Sequence, residues 1–174
     1  SLSGGMNIIE GNSKPEPIQT ILLPDPDMFL AASIANFFNA TDINFDGYLD
    51  IGVLEEGGAK WGSYHYWLFN KNTNQFVENT FTKDFRELNF NGIIFDETKK
   101  QITTNNFCGT LICDKDIYQV TNNHLILLES YHQEQPYSPT NDGAPLKKCI
   151  TTVEKHLGNK IIKTETTSED FCDG

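Results

Sequence analysis

The sequence predicts a mainly β protein, an antiparallel meander closing toward a sandwich or a barrel-like sheet. Three observations point there. Apolar and polar residues alternate with period two through much of the chain, the pattern of half-buried strands. Clusters of turn-forming residues recur at roughly ten- to fifteen-residue intervals, the spacing of hairpins. Helical periods between those turns are few.

Residues 11–17, "GNSKPEP", are rich in residues that break regular structure and read as an exposed loop. "MFLAASIANFFNA" (28–40) fits a short helix, with Phe29, Ala32 and Phe37 near helical spacing, or a strand leading into the acidic segment at 42–50; periodicity leaves both open. "YLDIGVLEE" (48–56) is β-branched and apolar enough to be a strand. "SYHYWLFN" (63–70) and "QFVENTF" (75–81) flank the turn "KNTN" (71–74) as a hairpin. Three more hairpins come after it: "GIIFD" and "QITTN" around "ETKK" (97–100), "DIYQV" and "HLILLES" around "TNN" (121–123), and "CITTVEKH" and "KIIKTET" around residues 157–159. "QEQPYSPTNDGAPL" (133–146) is long for a hairpin connection and reads as an exposed loop.

With 174 residues the chain fits one domain. Residues 1–5, "SLSGG", read as a cloning scar before Met6, behind which a native export signal is expected to have been removed, and residues 6–174 as a single β domain. The net charge of −11 excludes nucleic acid and an anionic membrane surface as partners and favours a basic one. No apolar run is long enough to span a bilayer as a helix.

All four cysteines, Cys108, Cys113, Cys149 and Cys172, lie beyond residue 107. An even number allows two disulfides. The favoured pairing is Cys108 with Cys113, closing a short loop, and Cys149 with Cys172, tying down the tail; four reduced thiols are the alternative. A zinc site lacks a second close pair or a nearby histidine.

The most definite chemistry lies in "DINFDGYLD" (42–50). Ca²⁺ takes six to eight oxygens from a loop that wraps it. Asp42, Asn44 and Asp46 supply side-chain oxygens from positions 1, 3 and 5 of an EF-hand-like loop, and Gly47 takes the sharp turn at position 6. Tyr48 offers its backbone carbonyl from position 7, and Asp50 binds directly or through water from position 9. Position 12 is Val53, not the bidentate Glu of a helical EF-hand, so the exit is expected to be a strand.

"DINFDGYLDIGVLEE", then "YHYWLFNKNTNQFVEN", then "GIIFDETKKQITTNN" are similar in order and spacing to bacterial periplasmic proteins with a single FG-GAP-like calcium loop, the group that includes calcium-binding inhibitors of type I lysozyme. The resemblance covers roughly residues 40–130 and is most specific over 44–50 and 64–70. It implies a periplasmic β protein that binds Ca²⁺ structurally and blocks a peptidoglycan hydrolase by pushing a loop into its cleft. The corresponding segment is "NNFCGTLIC" (105–113), with Asn105, Phe107, Gly109 and Leu111 as contacts. It has one glycine and two cysteines where the family is richer in glycine and carries a tyrosine. That departure leaves the target open between a lysozyme, another glycan hydrolase and a secreted cell-wall effector neutralised by an immunity protein. Such enzymes are commonly basic, which suits an acidic inhibitor.

A catalytic role finds no support in the sequence. His65, His124, His132 and His156 fall on strands without a His-Glu-x-x-His or Gly-x-Ser-x-Gly motif. Glu55 and Glu56 are adjacent, so on a strand they face opposite sides. The protein is therefore read as not an enzyme. The competing class is a calcium-stabilised adhesion or scaffold module, although one copy of the loop is too few for a propeller.

Overall fold

The computed structural model describes residues 5–9, 17–23, 38–57, 62–88, 92–108, 112–136 and 148–169. A two-stranded ribbon pairs β1 (Gly5–Ile8) with β2 (Gln19–Leu22). A four-stranded meander contains β3 (Phe38–Thr41), β4 (Asp50–Gly57), β5 (Gly62–Asn70) and β6 (Gln75–Val77). After one short helix, α1 (Thr80–Arg86), a six-stranded meander runs through β7 (Ile93–Asp96), β8 (Gln101–Cys108), β9 (Ile112–Thr121), β10 (His124–Glu134), β11 (Cys149–Leu157) and β12 (Lys160–Glu169). Every pairing among these strands is antiparallel. Among the described residues neither larger sheet closes into a barrel.

The predicted hairpins form where the turn chemistry permits them. Asn122 and Asn123 both have positive φ, 51° and 56°, the two-residue geometry that matches the strands' right-handed twist. Asn74 and Lys100 take φ of 58° and 53° at the other tight turns. The strand exit expected after residue 48 is β4, and the last residues of the ambiguous 28–40 stretch open β3; the rest of that stretch lies outside the described residues.

Three local expectations are corrected. The strand read to Phe81 stops at Val77, because Asn79 caps α1: its side chain accepts from the Thr82 amide at 3.1 Å, and the Thr82 hydroxyl accepts from the Asn79 amide at 3.0 Å. This reciprocal pair satisfies two amides that would otherwise be orphaned. Gln133 and Glu134, read as loop, belong to β10, where pairing on both flanks takes up their backbone groups. Residues 105–108 and 112–113, read as part of a protruding loop, are strand, so the connection shrinks to 109–111. The tail of the 133–146 stretch, from 137, and residues 11–16 lie outside the described residues.

β5 shows how alternation builds two cores. Tyr66 and Leu68 point to one face, where they meet Ile43, Phe45, Phe81, Phe85, Ile102 and Val120. Trp67 points to the other and packs with Val53 and Ile21, flanked by Met6 and Ile8 of the ribbon. Helix α1 inserts Phe81 and Phe85 into the first core, and the Phe85 ring meets Tyr66 edge-on at 5.0 Å. The layers are thus the ribbon, the four-stranded sheet, and α1 with the near half of the six-stranded sheet.

Gly52 is fixed by this packing, not by its backbone. A Cβ there would lie 2.6 Å from Cε1 of Tyr66, its cross-strand partner. That ring is held between Phe85 and the sheet and cannot yield. Gly52→Ala is expected to destabilise by about 1–3 kcal/mol, and Phe85→Ala, at a position with 0% exposure, by about 3–5 kcal/mol. Denaturant melts check both; a Gly52→Ala midpoint equal to wild type would mean the ring moves freely.

Candidate functional site

The stretch between β3 and β4 alternates like a strand while bending like a loop. Ile43 and Phe45 enter the first core, so Asp42, Asn44 and Asp46 are thrown to the other side. Phe45 has φ 60° and Gly47 φ 92°. An aromatic residue in the left-handed region is strained by about 1–3 kcal/mol, which burial of its ring offsets.

The carboxylates brace this bend. Asp42 accepts from the Asp46 amide at 3.0 Å through Oδ1 and from the Gly47 amide at 2.8 Å through Oδ2. Asp46 Oδ1 accepts from the Tyr48 amide at 3.0 Å. Asp50, fully buried, accepts from the Ile43 amide at 3.0 Å and from the Phe69 amide of β5 at 2.9 Å. Burial pushes the Asp50 carboxyl up to about 6; the two amides pull the other way, and the charges of Asp46 and Asp42 add to the rise.

Two contacts come from far along the chain. The Asn44 amide nitrogen donates to Asp46 Oδ2 at 3.1 Å and to Asn123 Oδ1 in the β9–β10 turn at 3.0 Å. The Lys100 ammonium, in the β7–β8 turn, donates to the Phe45 carbonyl at 3.2 Å. The loop is therefore seated on two turns at one end of the six-stranded sheet. Sequence reasoning passed over Asn123 and Lys100 as turn residues, and their positive φ gave no clue to a tertiary role.

The five oxygen donors expected for calcium, Asp42, Asn44, Asp46, Tyr48 and Asp50, thus share one loop. Among the described residues, no three carboxylate, imidazole or thiol groups converge as metal ligands. The chemistry of the set nevertheless fits a hard cation: all five offer oxygen, each carboxylate oxygen keeps a further lone pair, and Asn44 Oδ1 is buried without any hydrogen-bond partner. An orphaned buried acceptor carries a desolvation cost that a cation or a donor would remove.

The remaining predicted residues that are described lie on the six-stranded sheet. Asn105 pairs with Lys115 across β8 and β9, and beyond a register shift Phe107 stands opposite Asp114; the Phe107 side chain, Gly109 and Leu111 lie outside the described residues. Cys113 and Cys149 are buried, and neither is a free thiol. The register sets Cys108 directly opposite Cys113, while Cys172 lies outside the described residues. The 109–111 connection is at the far end of β9 from Asn123; ten residues of strand put the two ends roughly 30 Å apart.

Two of the histidines are tied to acids. His65 meets Glu78 at 2.5 Å and stacks on Trp67, with centroids 4.2 Å apart. His132 meets Asp114 at 2.5 Å, a bond that raises its pKa. No helix among the described residues is long and apolar enough to cross a membrane.

The chain is similar to a type IV secretion system related protein. That solved structure, from Xanthomonas, matches with a TM-score of 0.50 and 25% identity over 76% of this chain and 58% of that one. The chain thus spans less than two thirds of the length of that neighbour. No family model and no curated relative matches it.

Asp50 yields a direct expectation. Its folded-state pKa lies above the ordinary carboxylate value, so the folded protein binds that proton more tightly than the unfolded chain. Its contribution is then most favourable below pH 4, declines as pH rises from about 4 to about 6, and costs roughly 3 kcal/mol above that. Carboxyl-carbon NMR of chelator-treated protein should find one aspartate titrating near pH 6. If every aspartate titrates below pH 5, the burial argument is wrong.

Proposed function

We propose that the protein is a periplasmic, calcium-binding inhibitor of a peptidoglycan hydrolase, a lysozyme or a secreted cell-wall effector, and acts as an immunity-type partner without chemistry of its own. The observation that carries the reading is the loop from Asp42 to Asp50, bent around its own carboxylates, with a buried Asn44 Oδ1 that has no hydrogen-bond partner. Its residues belong to the stretch that resembles the FG-GAP-like lysozyme inhibitors. The likeness to a type IV secretion system related protein supports a secretion-associated setting, in which a cell exporting wall-degrading enzymes needs protection from them.

Asp42, Asn44, Asp46, the Tyr48 carbonyl and Asp50 would hold the ion. Bound calcium supplies the positive charge that three neighbouring carboxylates lack. Asp50 and Asp42 keep the backbone bent whether or not the charge is compensated, so the loop is preorganised for the cation. The net charge of −11 speeds encounter with a basic enzyme. The β8–β9 tip, with Phe107, Gly109 and Leu111, is the contact assigned to the cleft. A Cys108–Cys113 bridge, which the strand register permits, stiffens that tip, and Cys149 with Cys172 secures the chain end.

Calcium is expected to raise the melting temperature by mass action, and Asp46→Ala to lower calcium affinity at least tenfold, read by calorimetry. A melting curve unmoved by chelator overturns the calcium assignment. For the partner, Phe107→Ala combined with Gly109→Arg is expected to abolish inhibition in a peptidoglycan-lysis assay while the melting temperature and calcium affinity stay near wild type. Full inhibition by that double variant moves the contact elsewhere, and failure of the wild type to form a discrete complex with any wall hydrolase favours a calcium-stabilised scaffold module.

A further inference from the structure

Beside the loop, on the side away from the β8–β9 tip, lies a cavity of about 240 Å³. Its walls include Asn44, Asn70, Asn72 and Asn123, with Tyr48 and the oppositely charged Asp46 and Lys71 beside them. Five asparagines line so small a space; the fifth, Asn79, spends its Oδ1 on capping α1. Three of the others keep unspent groups. Asn70 Oδ1 accepts from the Asn72 backbone amide at 3.0 Å and Asn123 Oδ1 accepts from Asn44, but the side-chain nitrogens of Asn70 and Asn123 and the whole Asn72 amide make no hydrogen bond among the described residues. Asn44 is only 9% exposed and its Oδ1 is the oxygen assigned to the ion, so Asn70, Asn72 and Asn123 are the amides open to a second ligand.

The aromatic wall has a different character. Tyr48 is 40% exposed; its ring rests on Phe69, with centroids 5.5 Å apart, and has the Lys71 ammonium 5.9 Å from its centre. The ring is thus held by Phe69 and Lys71 while the residue stays partly exposed. Amides present donors and acceptors at fixed positions, Asp46 adds a strong acceptor, and an exposed tyrosine offers a flat apolar face. A ligand that satisfies all three has several hydroxyls or amides on its rim, an apolar C–H face, and no net charge. The volume is below the roughly 300–1,000 Å³ of pockets for drug-sized ligands, which fits one ring.

We propose that this cleft is a glycan subsite that takes a neutral sugar ring, of the N-acetylated amino-sugar class, from a wall polysaccharide. This goes beyond the inhibitor reading and rests on it for the choice of a wall polysaccharide; the cleft borders the same loop, at Asn44, Asp46 and Tyr48, and lies at the opposite end of β9 from the β8–β9 tip. Binding the glycan would hold the protein at the wall, where a hydrolase works, with the tip left free.

The test is an amide NMR titration of the full chain with diacetylchitobiose, once with calcium and once with chelator, and in parallel with arginine amide. The result expected is saturable shifts at the side-chain amides of Asn70, Asn72 and Asn123 with the disaccharide and none with arginine amide. Asn72→Ala, which removes an exposed and unbonded amide, is expected to weaken the affinity about fivefold, as for the loss of one hydrogen bond, with an unchanged melting temperature. Tyr48→Leu, which keeps the backbone carbonyl and removes the ring's π-face, is expected to weaken it further. Shifts absent, shifts confined to the 105–113 segment, or an Asn72→Ala variant that binds as wild type each overturn the proposal. Shifts with arginine amide alone also overturn it, because the cleft would then receive a basic side chain of a protein partner. Lysis inhibition is measured on the same samples, so loss of the glycan site and loss of the inhibitor reading appear as separate results.

Discussion

The loop from Asp42 to Asp50 depends on one buried carboxylate. Asp50 sits at the start of β4 with no exposure, and its two oxygens reach the amide of Ile43 within the loop and that of Phe69 on the neighbouring strand. One side chain thereby closes the loop and pins it to the four-stranded sheet. Without it, two amides would lose their partners in the interior, each at a cost of about 1–3 kcal/mol. With the loop closed, Ile43 and Phe45 have only the core to occupy, and Asp42, Asn44 and Asp46 are left on the opposite side. The oxygen-lined face is thus a by-product of core packing. The cost appears as the raised Asp50 pKa and the left-handed Phe45.

Features encoded locally were legible in the sequence. The Asn122–Asn123 turn, the strand exit after Tyr48 and the four hairpins all arise from residues within a few positions of one another. Helix α1 was not legible: its signals are a capping pair at Asn79 and Thr82 and two phenylalanines one turn apart, while "QFVENTF" alternates well enough to pass for a strand. Tertiary context decided for the helix, because Phe81 and Phe85 together fill the space between β5 and β10. Gln133 misled in the same way: a polar run ahead of proline reads as loop, yet pairing to both β9 and β11 gives its backbone partners, and Thr151 receives its side-chain amide at 3.3 Å.

Contacts across long sequence separations set the site, and no periodicity reveals them. Asn123 reaches Asn44 across 79 positions, and Lys100 reaches Phe45 across 55. The loop residues themselves were legible because oxygen donors at every second position, with a glycine after them, leave few alternatives. What surrounds them was not. Backbone strain collects at the same end: Phe45, Asn74, Lys100, Asn122 and Asn123 all adopt positive φ in the loop or in turns, and such residues persist only where surrounding structure over-determines them.

The separation of the two ends limits how they can communicate. Strands β8 to β10 run from the loop's seat to the 109–111 connection as a continuous antiparallel ladder, interrupted by a register shift between Asn105 and Phe107 and another between Leu127 and Glu129. Such a ladder offers no second arrangement of the hydrogen bonds between which a ligand could choose, and a ligand shifts only equilibria that exist. A ligand held at residues 42–50 would therefore act through the fraction of molecules in which the sheet is formed and seated on the loop, not through a second pairing of the strands. The Asn44 and Lys100 contacts are the mechanical join, fixing which end of the sheet the loop holds.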